Sequence, residues 1–107
     1  MKKNFDEKEL QELKDDELEQ IAGGLASGDI SDRARFIDKF LTARLNQADV
    51  IHMIRDEVIA DVLKHGVDAA IKNQEDKISE GRDPHGDRKR AVEVLQKNMG
   101  IIKLVWH

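Results

Sequence analysis

The residues able to do acid–base, nucleophilic or metal chemistry are few and scattered. The histidines are His52, His65, His85 and His107. A helical metal site wants ligands paired at i+3 or i+4, and no two histidines have that spacing. His52 and Asp56, like Asp61 and His65, stand four apart, but acids recur all along these stretches and the pairs read as ordinary surface charge. Asp83-Pro84-His85-Gly86-Asp87 puts two carboxylates around an imidazole, in a segment whose glycines and sole proline mark a solvated turn. Ser27, Ser31 and Ser79 stand in no nucleophile-elbow context. There is no cysteine, which excludes a thiolate nucleophile, thiolate metal ligands, disulfides and thioether crosslinks. Asp87-Arg88-Lys89-Arg90 is a short basic cluster without aromatic partners, which fits a solvated helix start and not a nucleic-acid surface. No catalytic residue, metal site or cofactor is expected, and the chain is not read as an enzyme.

A more regular spacing lies near the N-terminus. In Leu10–Gly28, LQELKDDELEQIAGGLASG, Leu10, Leu13, Leu18 and Ile21 form one narrow apolar stripe on an otherwise polar helix. Asp15, Asp16, Glu17 and Glu19 lie off it. An isolated helix of this length is marginal in water. Nothing that follows in the sequence looks like its own core, so the stripe is expected to lie in a partner's groove, read through spaced anchors. Ala22-Gly23-Gly24 then removes side chains where the helix would continue. Glycine costs about 1 kcal/mol in a helix interior, and it lets a backbone pass through a slot too narrow for a Cβ.

The run ELQELKDDELEQIAGG resembles a double-glycine leader peptide of the kind carried by bacteriocins, peptide pheromones and other ribosomal peptides. That family places apolar anchors fifteen, twelve, seven and four residues back, counting the final glycine as one. Counted from Gly24, these positions are Leu10, Leu13, Leu18 and Ile21, and all four match. The resemblance covers residues 1–24. It implies that Leu10, Leu13, Leu18 and Ile21 bind the papain-like peptidase domain of a bacterial ABC exporter. It also implies that Gly23, Gly24 and Leu25 span the cleavage site, with the cut after Gly24 and export of the remainder. The precursor would be made in the bacterial cytoplasm and its mature part secreted, as a bacteriocin or a secreted signal. A Gly-Gly linker after a surface helix is the plain structural alternative.

Charge follows the same boundary. Residues 1–24 hold four lysines against eight acids, and residues 25–107 balance, so the whole net charge of −4 precedes Leu25. Neither part is basic enough to imply nucleic acid. No apolar run approaches the roughly 20 residues of a membrane span, so no stable membrane insertion is expected. Met1-Lys2-Lys3 is followed by acids and not by the apolar stretch of a secretory signal. With 39% hydrophobic and 37% charged residues, few aromatics and one proline, the composition suits a solvated helical domain.

The spacing predicts the elements of that domain. Ser31 is a plausible N-cap for a helix carrying Ala34, Ile37, Phe40, Leu41 and Leu45, with Phe36 beside them. A second helix spans about 49–64, with a wide stripe of Val50, Ile51, Ile54, Val58 and Val62 flanked by Met53, Ile59 and Leu63. It is expected to be the most buried, and to stop at Gly66. A third covers 67–79, with Val67, Ala70, Ile71 and Ile78. A fourth covers 87–99, with Ala91, Val92, Val94, Leu95 and Met99, and stops near Gly100. The tail, Gly100–His107, is apolar and holds the only tryptophan. The expected fold is all-α. A leader helix in residues 1–24, flexible or disordered when free, precedes a small three- or four-helix cargo in residues 25–107, with an apolar tail at 100–107.

Two other readings stay open. The chain could be a ribosomal natural-product precursor whose helical region docks a modifying enzyme and whose tail, 100–107, is the modified core. With no Cys and few Ser or Thr, backbone methylation or a Trp-centred crosslink would be the chemistry left. Against this, Ile101, Leu104 and Trp106 are suited to closing the helical core. The chain could also be an intracellular helical binding module.

Overall fold

The computed structural model describes residues 14–107, so Leu10 and Leu13 lie outside the described residues. Among the described residues there are six helices and no strand: α1 (Asp15–Leu25), α2 (Ile30–Gln47), α3 (His52–His65), α4 (Val67–Ser79), α5 (Asp87–Lys97) and α6 (Met99–Val105). The all-α expectation holds. The four helices expected after Gly24 are α2 to α5, and the tail adds α6.

The longest helix, α2, starts one residue before Ser31. Asp29 is its cap, accepting a 2.6 Å hydrogen bond from the Ser31 amide, which satisfies one of the amides a helix start leaves unpaired. Phe36, Ile37, Phe40, Leu41, Ala43 and Leu45 are buried along its inner face. The Phe36 and Phe40 rings stack at 5.5 Å, and the Arg44 guanidinium lies 5.3 Å from the Phe40 ring centre. The expectation that the next helix is the most buried does not hold, because α2 carries both rings and the longer inner face. In α3 the buried residues are Ile54, Val58, Ile59 and Val62, while Met53 is 72% exposed.

The turns follow local chemistry. Between α2 and α3, Asp49 takes a left-handed conformation (φ 57°), and the Val50 amide donates back to the Leu45 carbonyl. Gly66 stops α3 as expected, with φ 89° and its amide on the Val62 carbonyl. α4 spans the residues the spacing predicts and buries Val67, Ala70, Ile71 and Gln74. The break between α5 and α6 falls at Asn98 and not at Gly100. The Asn98 side chain donates to the Val94 carbonyl at 2.8 Å, an interaction that draws the chain out of the helix, and Gly100 lies inside α6.

A single apolar cluster runs through all six helices, from Leu18, Ala22 and Leu25 of α1 to Ile102 and Val105 of α6. α3, α4 and α5 pack on one another, α2 lies across α3 and α5, and α1 sits mainly against α6.

Candidate functional site

In α1 the buried residues recur at helical spacing. Leu18, Ala22 and Leu25 are buried, and Ile21 is partly buried against the same cluster. These positions follow an i, i+3, i+4, i+7 pattern, which places them on one face. Glu19, Gln20, Gly23 and Gly24 are exposed on the other. For Leu18 and Ile21, the expectation that only a partner's groove could complete the stripe is therefore corrected; Leu10 and Leu13 lie outside the described residues. The chain supplies a surface of its own, chiefly α6, whose pairing with α1 is remote in sequence and leaves no local trace.

The helix also does not break on its glycines. It runs through Gly23 and Gly24 to Leu25, because Leu18, Ala22 and Leu25 reach the core only while the backbone stays helical. The turn comes three residues later, where the Gly28 amide donates to the Leu25 carbonyl at 2.9 Å. A Cβ on Gly28 would lie 3.3 Å from that carbonyl oxygen, so the turn has a use for glycine. Gly23 and Gly24 are different. A Cβ at either would meet nothing within 4 Å, and neither has a positive φ. The fold gives no reason for glycine at these two positions, although each weakens the helix by about 1 kcal/mol relative to alanine.

The peptide bond between Gly24 and Leu25 lies in the last turn of α1. Its glycine side faces solvent, and the Leu25 side chain is 2% exposed. A peptidase cleft that binds an extended chain can take this bond only after the turn unwinds, which draws Leu25 and Ala22 out of the cluster.

The tail is integrated into the fold. Ile102 and Val105 are buried. The Trp106 indole N–H donates to the Leu63 carbonyl at 3.2 Å, which ties the end of α6 to α3. The tail does close the core, but through Ile102 and Val105 and not through the expected set: Ile101 and Trp106 are partly buried against the cluster, and Leu104 is 41% exposed.

The strongest polar cluster joins α3, α4 and α5, and sequence reasoning missed it. Arg88 Nη1 donates to Glu57 Oε2 at 2.6 Å and to Gln74 Oε1 at 2.8 Å. Gln74 Nε2 donates to the same Glu57 oxygen at 2.6 Å, and Lys77 Nζ lies 3.0 Å from Glu57 Oε1. Arg88 Nε is satisfied by the Arg82 carbonyl. Burial pushes the Glu57 carboxyl up. The hydrogen bonds from Gln74, Lys77 and Arg88, with the Arg88 charge, outweigh it and hold the pKa at about 2. Glu57, Gln74, Lys77 and Arg88 thus hold one another, and the cluster fastens α3, α4 and α5 together.

The basic run at the start of α5 is structural too. Asp83 receives the Arg88 and Lys89 amides at 2.8 and 3.1 Å, so it caps α5. Asp87 is buried and accepts from the Ile51 amide at 3.1 Å. Arg90 donates to the Ala48 and Asp49 carbonyls at 3.0 and 3.1 Å. The expected solvated helix start is thus a clamp on the α2–α3 turn. The signal was the register. Arg88 falls on the same face as Ala91, Val92 and Leu95, and Gln74 on the face of Val67, Ala70 and Ile71.

His52, His65, His85 and His107 are all exposed, and among the described residues no three His, Asp or Glu side chains converge as metal ligands. An open cleft of about 1280 Å³ lies beside Glu19, Arg44, Arg90, Glu93, Lys97 and Leu104. Its charges are mixed, and Arg90 is already engaged by backbone carbonyls. No helix among the described residues is long and apolar enough to cross a membrane. Comparison with protein-family models, with characterised proteins and with solved structures found no match to this chain.

Proposed function

We propose that the chain is a precursor substrate of a bacterial peptidase-containing ABC exporter, with residues 1–24 as its double-glycine leader and residues 25–107 as a helical cargo. Leu10, Leu13, Leu18 and Ile21 are the anchors read by the peptidase domain, and the cut falls between Gly24 and Leu25. The catalytic groups belong to the exporter; this chain is the substrate. The mature part is secreted, as a bacteriocin or a signal. The observation that carries the reading is the pair Gly23-Gly24. Both are exposed and helical, and neither has a conformational or steric need for glycine. A requirement from outside the fold explains them, and a narrow protease cleft is such a requirement.

The test is incubation of the purified chain with the peptidase domain of such an exporter, followed by mass spectrometry. A single cut yielding residues 25–107 is expected, and Gly23→Val should abolish it. A cut at another bond, or none by a peptidase active on its own substrate, would sink the proposal. A second reading has one observation in its favour: Leu18, Ala22 and Leu25 are fully built into the core, as suits a permanent helix of an intracellular binding module. It predicts that the protein recovered from cells, not from the medium, still begins before Leu25.

A further inference from the structure

We infer that α6 is an intramolecular cover for the cleavage site, so that the folded precursor is cut only through an open state in which α1 leaves α6 and unwinds. This rests on the leader reading above and concerns how the same site is controlled. Two of the proposed peptidase anchors, Leu18 and Ile21, lie on the face of α1 that meets the apolar cluster. Leu18 is 0% exposed and Leu25, on the far side of the scissile bond, is 2% exposed. α1 sits mainly against α6, which contributes Ile102 and Val105 to the cluster. One face cannot pack on α6 and enter a peptidase groove at the same time. The two states compete, and the ligand that binds the open one draws the population towards it. Cleavage is then governed by how firmly α6 is seated. Its seating uses Ile102 and Val105, the Trp106 indole bond to Leu63 and the ion pair of Lys103 with Asp68 at 3.0 Å. The two glycines favour opening, since a helix interior with exposed glycine is easier to unwind.

The experiment compares initial cleavage rates of full-length wild type, Ile102→Ala, Trp106→Phe and Met53→Ala by the peptidase domain added in trans. Ile102→Ala leaves a cavity in the cluster that α1 and α6 share and should raise the rate about tenfold or more. Trp106→Phe keeps the ring, loses one hydrogen bond and should raise it about two- to fivefold. Met53, on the exposed surface of α3, is the control, and its truncation should leave the rate unchanged. Equal rates for wild type and both α6 variants would overturn the cover while leaving the leader reading intact. No cut in any chain, by a peptidase active on its own substrate, overturns both. Because Ile102→Ala could unfold the whole chain, amide hydrogen exchange on the wild-type protein gives an independent reading. The amides of Ala22 to Leu25 should be protected together with those of α6 and less than those of α4. Unprotected amides at 22–25 would overturn the cover.

Discussion

Where α3, α4 and α5 meet, Glu57, Gln74 and Arg88 hold one another through bonds of 2.6 to 2.8 Å. Where α1 meets the rest, the buried contributions are Leu18, Ala22 and Leu25, on a helix that carries two exposed glycines. The first seam specifies its partners by geometry, since a displaced helix would leave a buried guanidinium and an amide unpaired, at a cost of several kcal/mol. The second is apolar packing, which is favourable but non-directional and can be exchanged for another apolar groove without an unsatisfied charge. The difference teaches which part of the chain is built to stay in place and which can be handed over.

The comparison can be strained at either end. Arg88→Ala should have the largest effect, lowering the unfolding free energy by about 3–5 kcal/mol in urea titration, because it takes a donor and a charge from Glu57 and leaves the buried Gln74 oxygen without its partner. A loss under about 1 kcal/mol, the scale of a surface pair, would remove the distinction between the seams. The same cluster sets an acid limit. The Glu57 carboxyl is held below its ordinary 4.5, at about 2, so the stability it contributes is present above pH 4.5 and is lost as pH falls towards 2. Acid titration of wild type against Glu57→Gln should show the substituted protein less stable at neutral pH and flatter across that interval.

Leu95→Ala, in α5, should cost about 2–5 kcal/mol, while Leu18→Ala should cost clearly less, because a helix that can detach limits the penalty to its own docking energy. Equal costs would make α1 as permanent as α5 and favour the binding-module reading. A smaller change of opposite sign is expected from Gly23→Ala with Gly24→Ala, which should stabilise the chain by about 1–2 kcal/mol, read as a higher Tm. Asp29→Ala, which removes the α2 cap, should cost about 1 kcal/mol.

Much of the fold was legible because helix periodicity is local. Val67–Ser79 and its stop at Gly66 follow from residues within a few positions of one another. The i, i+3 spacing of Leu18 and Ile21 identified the apolar face of α1, but a stripe does not say whose groove it fits. The surface that takes it is chiefly α6, which adds Ile102 and Val105 to the same cluster and lies far along the chain. Glu57, Gln74 and Arg88 were missed for the same reason. Each resembles any polar helix position until its register is compared with the apolar face, and their convergence is a tertiary fact. Asn98 outcompeted Gly100 as a helix stop because a side chain that bonds its own backbone ends a helix actively, whereas glycine only weakens one.

Trp106 has one more consequence. It is the only tryptophan, and the chain has no tyrosine, so ultraviolet emission excited near the red edge of protein absorption comes from the last turn of the molecule alone. Its indole is half-sheltered and bonded to the Leu63 carbonyl. Release of α6 would move that ring into water and shift its emission to longer wavelength. The protein therefore carries a native optical marker of whether α6 is seated, readable in real time without a label.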